Sequence, residues 1–323
     1  MPHAIRIDAF GGPEVLKWVD IPMPTPGPGE VLVRQTAIGV NFVDVYHRSG
    51  LYPLSLPVIP GSEAAGVVEA VGPDVTGFAA GDRVAYQGLI GGYAEHRLVP
   101  AARLLALPDR IDDRTAAAAL LKGVTAYYLL FRTFKVGKGH TILFHAAAGG
   151  VGTIACQWAA SLGATVIGTV GSAGKLDIAR RNGCAHVINY RTEDFVARVR
   201  EITGGAGVEA VYDSVGKDTF PGSLDCLKPL GMWVSFGQSS GLPPPFQMSL
   251  LQHKGSLFAT RPTTAHYLAK RGELETAATA VFEALAAGTL KLTVGREFPL
   301  KAAAEAHRAL ESRATTGATI LVP

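Results

Sequence analysis

Phe144-His145-Ala146-Ala147-Ala148-Gly149-Gly150-Val151-Gly152 is the stretch that decides the fold. It follows an apolar run, Thr141–Phe144, that reads as a buried strand. It opens a helical pattern, Gly152–Leu162, that is closed by Gly163 and carries Ile154, Ala155, Trp158 and Leu162 on one face. The loop reads as G-x-G-x-x-G with Ala147 in the first place, then Gly149 and Gly152. Glycine lets a backbone come close to a pyrophosphate, and a helix N-terminus offers unpaired N–H groups with partial positive charge. A glycine turn can also serve only helix–sheet packing, so the weight of the motif depends on its surroundings.

Working outward, strand and helix patterns alternate. Candidate strands are Thr141–Phe144, Thr165–Thr169, His186–Asn189, Glu209–Tyr212, Trp233–Phe236 and Leu257–Thr260. Helices fall between them: Gly152–Leu162, then Lys175–Arg181 closed by Gly183, then one starting at Thr192, where Thr is the expected cap, with Phe195, Val199 and Ile202 inward. Strands joined by helical crossovers imply a parallel sheet covered on both faces.

Before about Ala116 the pattern differs. Short apolar runs such as Val31–Arg34, Ala65–Val71 and Gly81–Tyr86 alternate with Gly/Pro turns, which predicts an all-β unit. After Arg261 the expectation is a helix Glu273–Ala287, a short strand around Phe298, a helix Ala302–Leu310 and a last strand Ala318–Val322. That tail is too small to stand alone and is expected to return to the first domain. The boundaries so read are 1–122, completed by 262–323, and 123–261.

Composition removes several classes of function. The 323 residues suit two domains, each able to bury a core without a staple. Lys plus Arg is 30 against 27 Asp plus Glu, too even a balance for nucleic acid as the main partner. Three cysteines, Cys156, Cys184 and Cys226, make no C-x-x-C pair and suit a reducing, cytoplasmic setting. The N-terminus lacks the apolar core of a signal peptide. Residues 141–174 carry no Asp, Glu, Lys or Arg, yet glycines interrupt them and their period changes, so strand, loop and helix fit better than a membrane span.

The end of the second strand narrows the ligand. A site for NAD ordinarily carries an acid there, on the ribose 2′-OH. Here the run is Thr169-Val170-Gly171-Ser172-Ala173-Gly174-Lys175, with no acid before Asp177. The Ser172 hydroxyl and Lys175 ammonium suit a 2′-phosphate, so NADP(H) is expected over NAD(H). Lys175 can also be simply a solvated lysine.

Segments along the whole chain resemble a known family. They include Gly11–Leu16, Asn41–Asp44, Arg48–Pro53, Gly61–Glu63, Leu121–Gly123, His145–Gly152, Tyr212–Gly216 and Glu311–Thr315. The chain resembles the zinc-free medium-chain dehydrogenases/reductases, in the quinone oxidoreductase (zeta-crystallin-like) branch. The resemblance implies an α/β fold: a Rossmann doubly wound parallel sheet plus a GroES-like, mainly β catalytic domain, with NADPH in the cleft between them. It assigns Asn41 and Tyr46 to the nicotinamide, with Tyr52 beside the substrate. It assigns Gly149, Gly150 and Val151 to the pyrophosphate, and Gly171, Ser172, Lys175, Tyr190 and Arg313 to the 2′-phosphate. Ser214 and Val215 fall on the adenine side, and Phe236, Gly237, Gln238, Ser239, Phe258, Thr260 and Arg261 at the nicotinamide end. Plainer roles stay open. Asn41 can serve only to satisfy backbone groups, Tyr46 and Tyr52 can be core aromatics, and Arg313 can be a surface ion-pair partner. Asp213 is expected to orient a loop rather than to move protons.

Zinc-binding members carry Cys near position 41 and His after Gly61, where this chain has Asn41 and Ser62. An amide and a hydroxyl are poor zinc ligands beside thiolate and imidazole, and no four clustered cysteines exist for a structural zinc. No metal is therefore expected, and alcohol oxidation lacks its Lewis acid. Three readings follow. The first is NADPH-dependent reduction of quinones. The second is NADPH-dependent reduction of α,β-unsaturated carbonyls on the same fold, and the third is nucleotide or RNA binding without turnover. The resemblance also implies a homodimer through the apolar edge strand Ser256–Thr260.

Overall fold

The computed structural model describes residues 1–312 and 317–323, and Arg313 lies outside them. The chain divides into two compact units. One is Met1–Val124 with Lys270–Ala287 and Leu292–Pro323; the other is Thr125–Ala269 with Gly288–Lys291.

The second unit is built on a six-stranded sheet, counted among the described residues. Its order across the sheet is His186–Asn189, Thr165–Val170, Thr141–Phe144, Val208–Asp213, Leu227–Ser235 and Phe258–Thr260. Every neighbouring pair is parallel. The strands are short and β-branched or aromatic, and the central ones are buried on both faces, with Ile142, Leu143, Phe144, Val211 and Tyr212 fully enclosed. In strand sequence the order runs third, second, first, fourth, fifth, sixth. The reversal of direction falls beside the first strand, which carries the glycine loop.

In the first unit, among the described residues, a seven-stranded sheet centres on Glu30–Val40. That strand pairs antiparallel with Glu63–Val71, His96–Pro100 and the last strand, Ala318–Val322. Val31, Val33, Ile38, Val68, Val84 and Tyr86 form its core together with Leu300, Ala303, Ala306 and Leu321 from the tail.

The structure differs from two sequence expectations. Residues 262–269, read with the first unit, group with the second, where the Tyr267 ring stacks on Tyr128 with centroids 4.7 Å apart. The helix Phe195–Ile202 is capped by Asp194, whose carboxylate accepts from the N–H groups of Val196 (2.9 Å) and Ala197 (3.2 Å). The Thr192 hydroxyl instead turns back to the Asn189 carbonyl. Both residue types cap helices, but only Asp194 directly precedes the first helical residue. No described helix is long and apolar enough to cross a membrane.

Candidate functional site

In the second unit the candidate residues gather at the carboxyl ends of the strands. After Phe144 the chain turns through Ala146 in a left-handed conformation (φ 55°). The Ala147 N–H then donates to the Thr169 carbonyl (3.0 Å) and the Gly149 N–H to the Ala146 carbonyl (2.8 Å). Gly149 is extended and opens the helix Gly150–Ser161. The N–H groups of Gly150, Val151 and Gly152 form its first turn, where no helical carbonyl is available to them. A Cβ on Gly152 would lie 2.4 Å from the Ala146 oxygen, so only glycine lets the helix approach the strand so closely. That leaves a cradle of amides without helical acceptors, the chemistry that suits an anion.

Beneath the loop, His145 is fully buried between the Thr169 hydroxyl (3.0 Å at Nδ1) and the Ser223 hydroxyl (3.1 Å at Nε2). Burial holds its pKa below the usual imidazole value, against the opposing charge of Asp213. Ser223 donates in turn to Asp213 (3.0 Å), which also accepts from the Thr219 hydroxyl (2.8 Å) and the Trp233 indole (3.3 Å). The other Asp213 oxygen accepts from the Val215 and Gly216 N–H groups at 2.8 and 3.1 Å. Asp213 thus orients the loop that carries Ser214 and Val215, the role read from the sequence.

Past the second strand, Gly171 lies against the ring of Tyr190: a Cβ there would sit 2.5 Å from the tyrosine oxygen. Ser172 is extended and exposed, and begins a single turn, Ala173–Lys175, closed by the Lys175 N–H on the Ser172 carbonyl (3.1 Å). The first carboxylate beyond it, Asp177, is paired with Arg180 at 2.8 Å.

The end of the fifth strand folds over the Asp213 loop. The N–H groups of Phe236 and Gly237 donate to the Asp213 carbonyl (2.8 and 3.2 Å), and the Ser239 N–H donates to that of Ser214 (3.0 Å). Arg261, just after Thr260, donates to the Gly237 carbonyl and the Gln238 amide oxygen, both at 2.8 Å. Its guanidinium therefore braces this turn. Phe258 starts the edge strand opposite Met232 with its ring 57% exposed, and the structure does not bring it together with the others.

In the first unit Asn41 opens the helix Phe42–Ser49. Its backbone N–H donates to Asp44 (2.8 Å), and its side-chain Nδ2 donates to Glu63 Oε1 (2.7 Å). Glu63 is fully buried and also accepts from the Lys122 ammonium (2.9 Å) and the Leu121 N–H (2.6 Å). Tyr46 packs edge-on against Phe42 and Tyr52, with centroids 5.5 and 5.1 Å apart, and its carbonyl accepts the Tyr52 N–H (3.1 Å). Sequence reading missed Asp44, Glu63 and Lys122. The spacing Asn41-x-x-Asp44 is a local capping signal that could have exposed the first of them.

The donor set does not fit zinc. Asn41 Nδ2 and the Ser62 hydroxyl both point their protons at carboxylates, and the Lys122 ammonium already holds Glu63. Among the described residues no group of three or more His, Cys, Asp or Glu is placed to hold a metal ion.

A parallel sheet in this order with a glycine loop at its reversal is the arrangement of a dinucleotide-binding unit, and the other unit carries a mainly antiparallel sheet. Family models agree: the alcohol dehydrogenase GroES-like domain matches residues 27–109, and the zinc-binding dehydrogenase family matches residues 150–280. A quinone oxidoreductase of Pseudomonas aeruginosa is 49% identical over 325 residues, covering 100% of each chain. A 2-haloacrylate reductase of a Burkholderia species is 48% identical over 331 residues, covering 100% of this chain and 99% of the relative. The solved structure of Escherichia coli quinone oxidoreductase complexed with NADPH superposes with a TM-score of 0.98 at 49% identity, covering 99% of this chain and 100% of the other. The chain belongs to the quinone oxidoreductase family of the medium-chain dehydrogenases/reductases, and it is an oxidoreductase.

Proposed function

We propose that this chain is an NADPH-dependent quinone reductase that works without a metal ion. The observation that carries the reading is the glycine cradle beside a second strand whose end offers Gly171, Ser172, Lys175 and Tyr190 and no carboxylate. The first-turn amides of Gly150 and Val151 are the groups that suit a pyrophosphate, and Ser172 and Lys175 those that suit a 2′-phosphate. Ser214, Val215 and the turn Phe236–Ser239 that Arg261 braces line the rest of the coenzyme half in this reading, with Thr260 at the end of the neighbouring strand. The E. coli relative complexed with NADPH supports the choice of nucleotide.

When bound, the reduced nicotinamide supplies a hydride, and the quinone adds that hydride and a proton to become a hydroquinone. A quinone is already electrophilic, so the protein mainly has to orient and dehydrate the reactants. Asn41, Tyr46 and Tyr52 are the acceptor-side residues in this reading. Asn41 is held at two points, and the rings of Tyr46 and Tyr52 meet edge to face.

Reduction of activated alkenes is the second reading, favoured by the 48% identity to a 2-haloacrylate reductase. A panel of acceptors with NADPH separates the two. The proposal expects 1,4-naphthoquinone to turn over faster than simple enones or 2-haloacrylates; the reverse ranking would favour the second reading.

The same proposal includes self-association. The edge strand Phe258–Thr260 leaves Phe258 57% exposed, and Leu230 on the neighbouring strand is 67% exposed. Light scattering should report twice the chain mass of 33.8 kDa; the mass of a single chain would refute a dimer.

A further inference from the structure

Asp44 is fully buried on the third residue of the helix that Asn41 opens. A carboxylate at that place ordinarily faces water. This one accepts from three separate segments: the Asn41 N–H (2.8 Å), the Ser62 hydroxyl (2.7 Å) and the Tyr93 hydroxyl (3.2 Å). The string of bonds continues beyond Tyr93. Its oxygen lies 3.0 Å from His307 Nε2, and Arg48 Nη1 lies 3.2 Å from His307 Nδ1. Arginine can only donate, so Nδ1 accepts, the ring proton is on Nε2, and Tyr93 receives it. The tyrosine proton is thereby aimed at Asp44. Arg48 is anchored by Glu311 at 2.7 and 2.8 Å and by the Gly11 carbonyl at 3.1 Å.

The arrangement has two states. Ionised, Asp44 accepts all three bonds. Protonated, it must itself donate, and at least one of the three donors loses its acceptor. Burial, opposed by the hydrogen bonds from Ser62 and Asn41 and reinforced by the nearby Glu63 carboxylate, pushes its pKa up to about 6. The two titratable side chains further along this string of bonds are moved out of that range. Burial and Arg48 push His307 down to about 3, and burial together with Asp44 holds Tyr93 well above the usual phenol value.

We propose that Asp44 is a positioning residue: its ionised carboxylate fixes the turn from Asn41 to Tyr46 in the geometry used for turnover, and protonation releases it. This rests on the reading that Asn41 and Tyr46 serve the acceptor. The folded chain then binds a proton at Asp44 more readily than the unfolded chain between the ordinary aspartate range, about 4, and about 6. Stability from this group therefore falls as pH rises through that window, while activity rises. A purely structural carboxylate would give only the first of these trends.

The test is the pH profile of kcat for the full chain and two variants, with 1,4-naphthoquinone as acceptor. The unaltered chain should lose kcat as pH falls through about 6. Asp44→Asn should lower kcat about 10- to 100-fold and flatten that acid limb, with NADPH affinity changed by less than about 3-fold. Tyr93→Phe removes a donor to the ionised form, so its limb should move to higher pH. An acid limb left in place by both variants overturns the proposal while the functional reading stands. Absence of quinone turnover in the unaltered chain at every pH overturns the functional reading, and this proposal with it.

Discussion

Lys175→Glu should weaken NADPH binding by about 10- to 100-fold while leaving NADH binding within a few-fold, a range set by the roughly 1.5–3 kcal/mol of a charge-assisted hydrogen bond. The reason lies at the end of the second strand. Gly171 lets the Tyr190 ring close on the backbone, Ser172 is exposed, and Lys175 ends the single turn that follows. The nearest carboxylate along the chain, Asp177, is occupied by Arg180. A glutamate at 175 would set a negative charge against the 2′-phosphate and leave a 2′-hydroxyl nearly unaffected. Fluorescence titration of both nucleotides against both proteins reads the ratio directly. Equal affinities in the unaltered chain, or a variant that loses both nucleotides alike, would show that the 2′ position is not read here.

The second large effect concerns stability. Lys122→Met should destabilise the first unit by about 3–5 kcal/mol, the usual cost of leaving a buried charge without its partner. The side chains of Glu63 and Lys122 are 0% and 7% exposed, so the carboxylate left behind would be a buried charge. The double change Glu63→Gln with Lys122→Met removes both charges. It leaves only one of the donors on Glu63 unpaired, a cost of about 1–3 kcal/mol, so it should be the more stable of the two variants. Urea unfolding followed by circular dichroism gives the order. A single variant as stable as the unaltered chain would mean that this ion pair contributes little.

The parts of the molecule legible in the sequence are those set by local chemistry. The run Thr141–Phe144 is short, apolar and followed by glycines, and its strand has those ends in the structure. The acid-free second strand end is equally local. So is Asp213, read as a residue that orients a loop, which accepts from the Val215 and Gly216 N–H groups. What escaped depends on distance along the chain. Asn41 meets Glu63 across 22 residues and Glu63 meets Lys122 across 59, and no periodicity announces either contact. The path from Tyr93 to His307 spans 214 residues. Residues 262–269 were read with the first unit, whereas they group with the second, where Tyr267 stacks on Tyr128. The cap at Asp194 was within reach of the sequence, but Thr192 competed for the same role two residues earlier. Phe258 was carried into the site by resemblance, and it stands 57% exposed on the edge strand.

In the proposed reaction NADPH reduces a quinone on this chain with no metal ion taking part. The most direct measurement is NADPH oxidation with 1,4-naphthoquinone after exhaustive treatment of the purified protein with a chelator. The chelated protein should turn over fully, unchanged by added zinc and far slower with NADH. Turnover that vanishes on chelation and returns with zinc would contradict it.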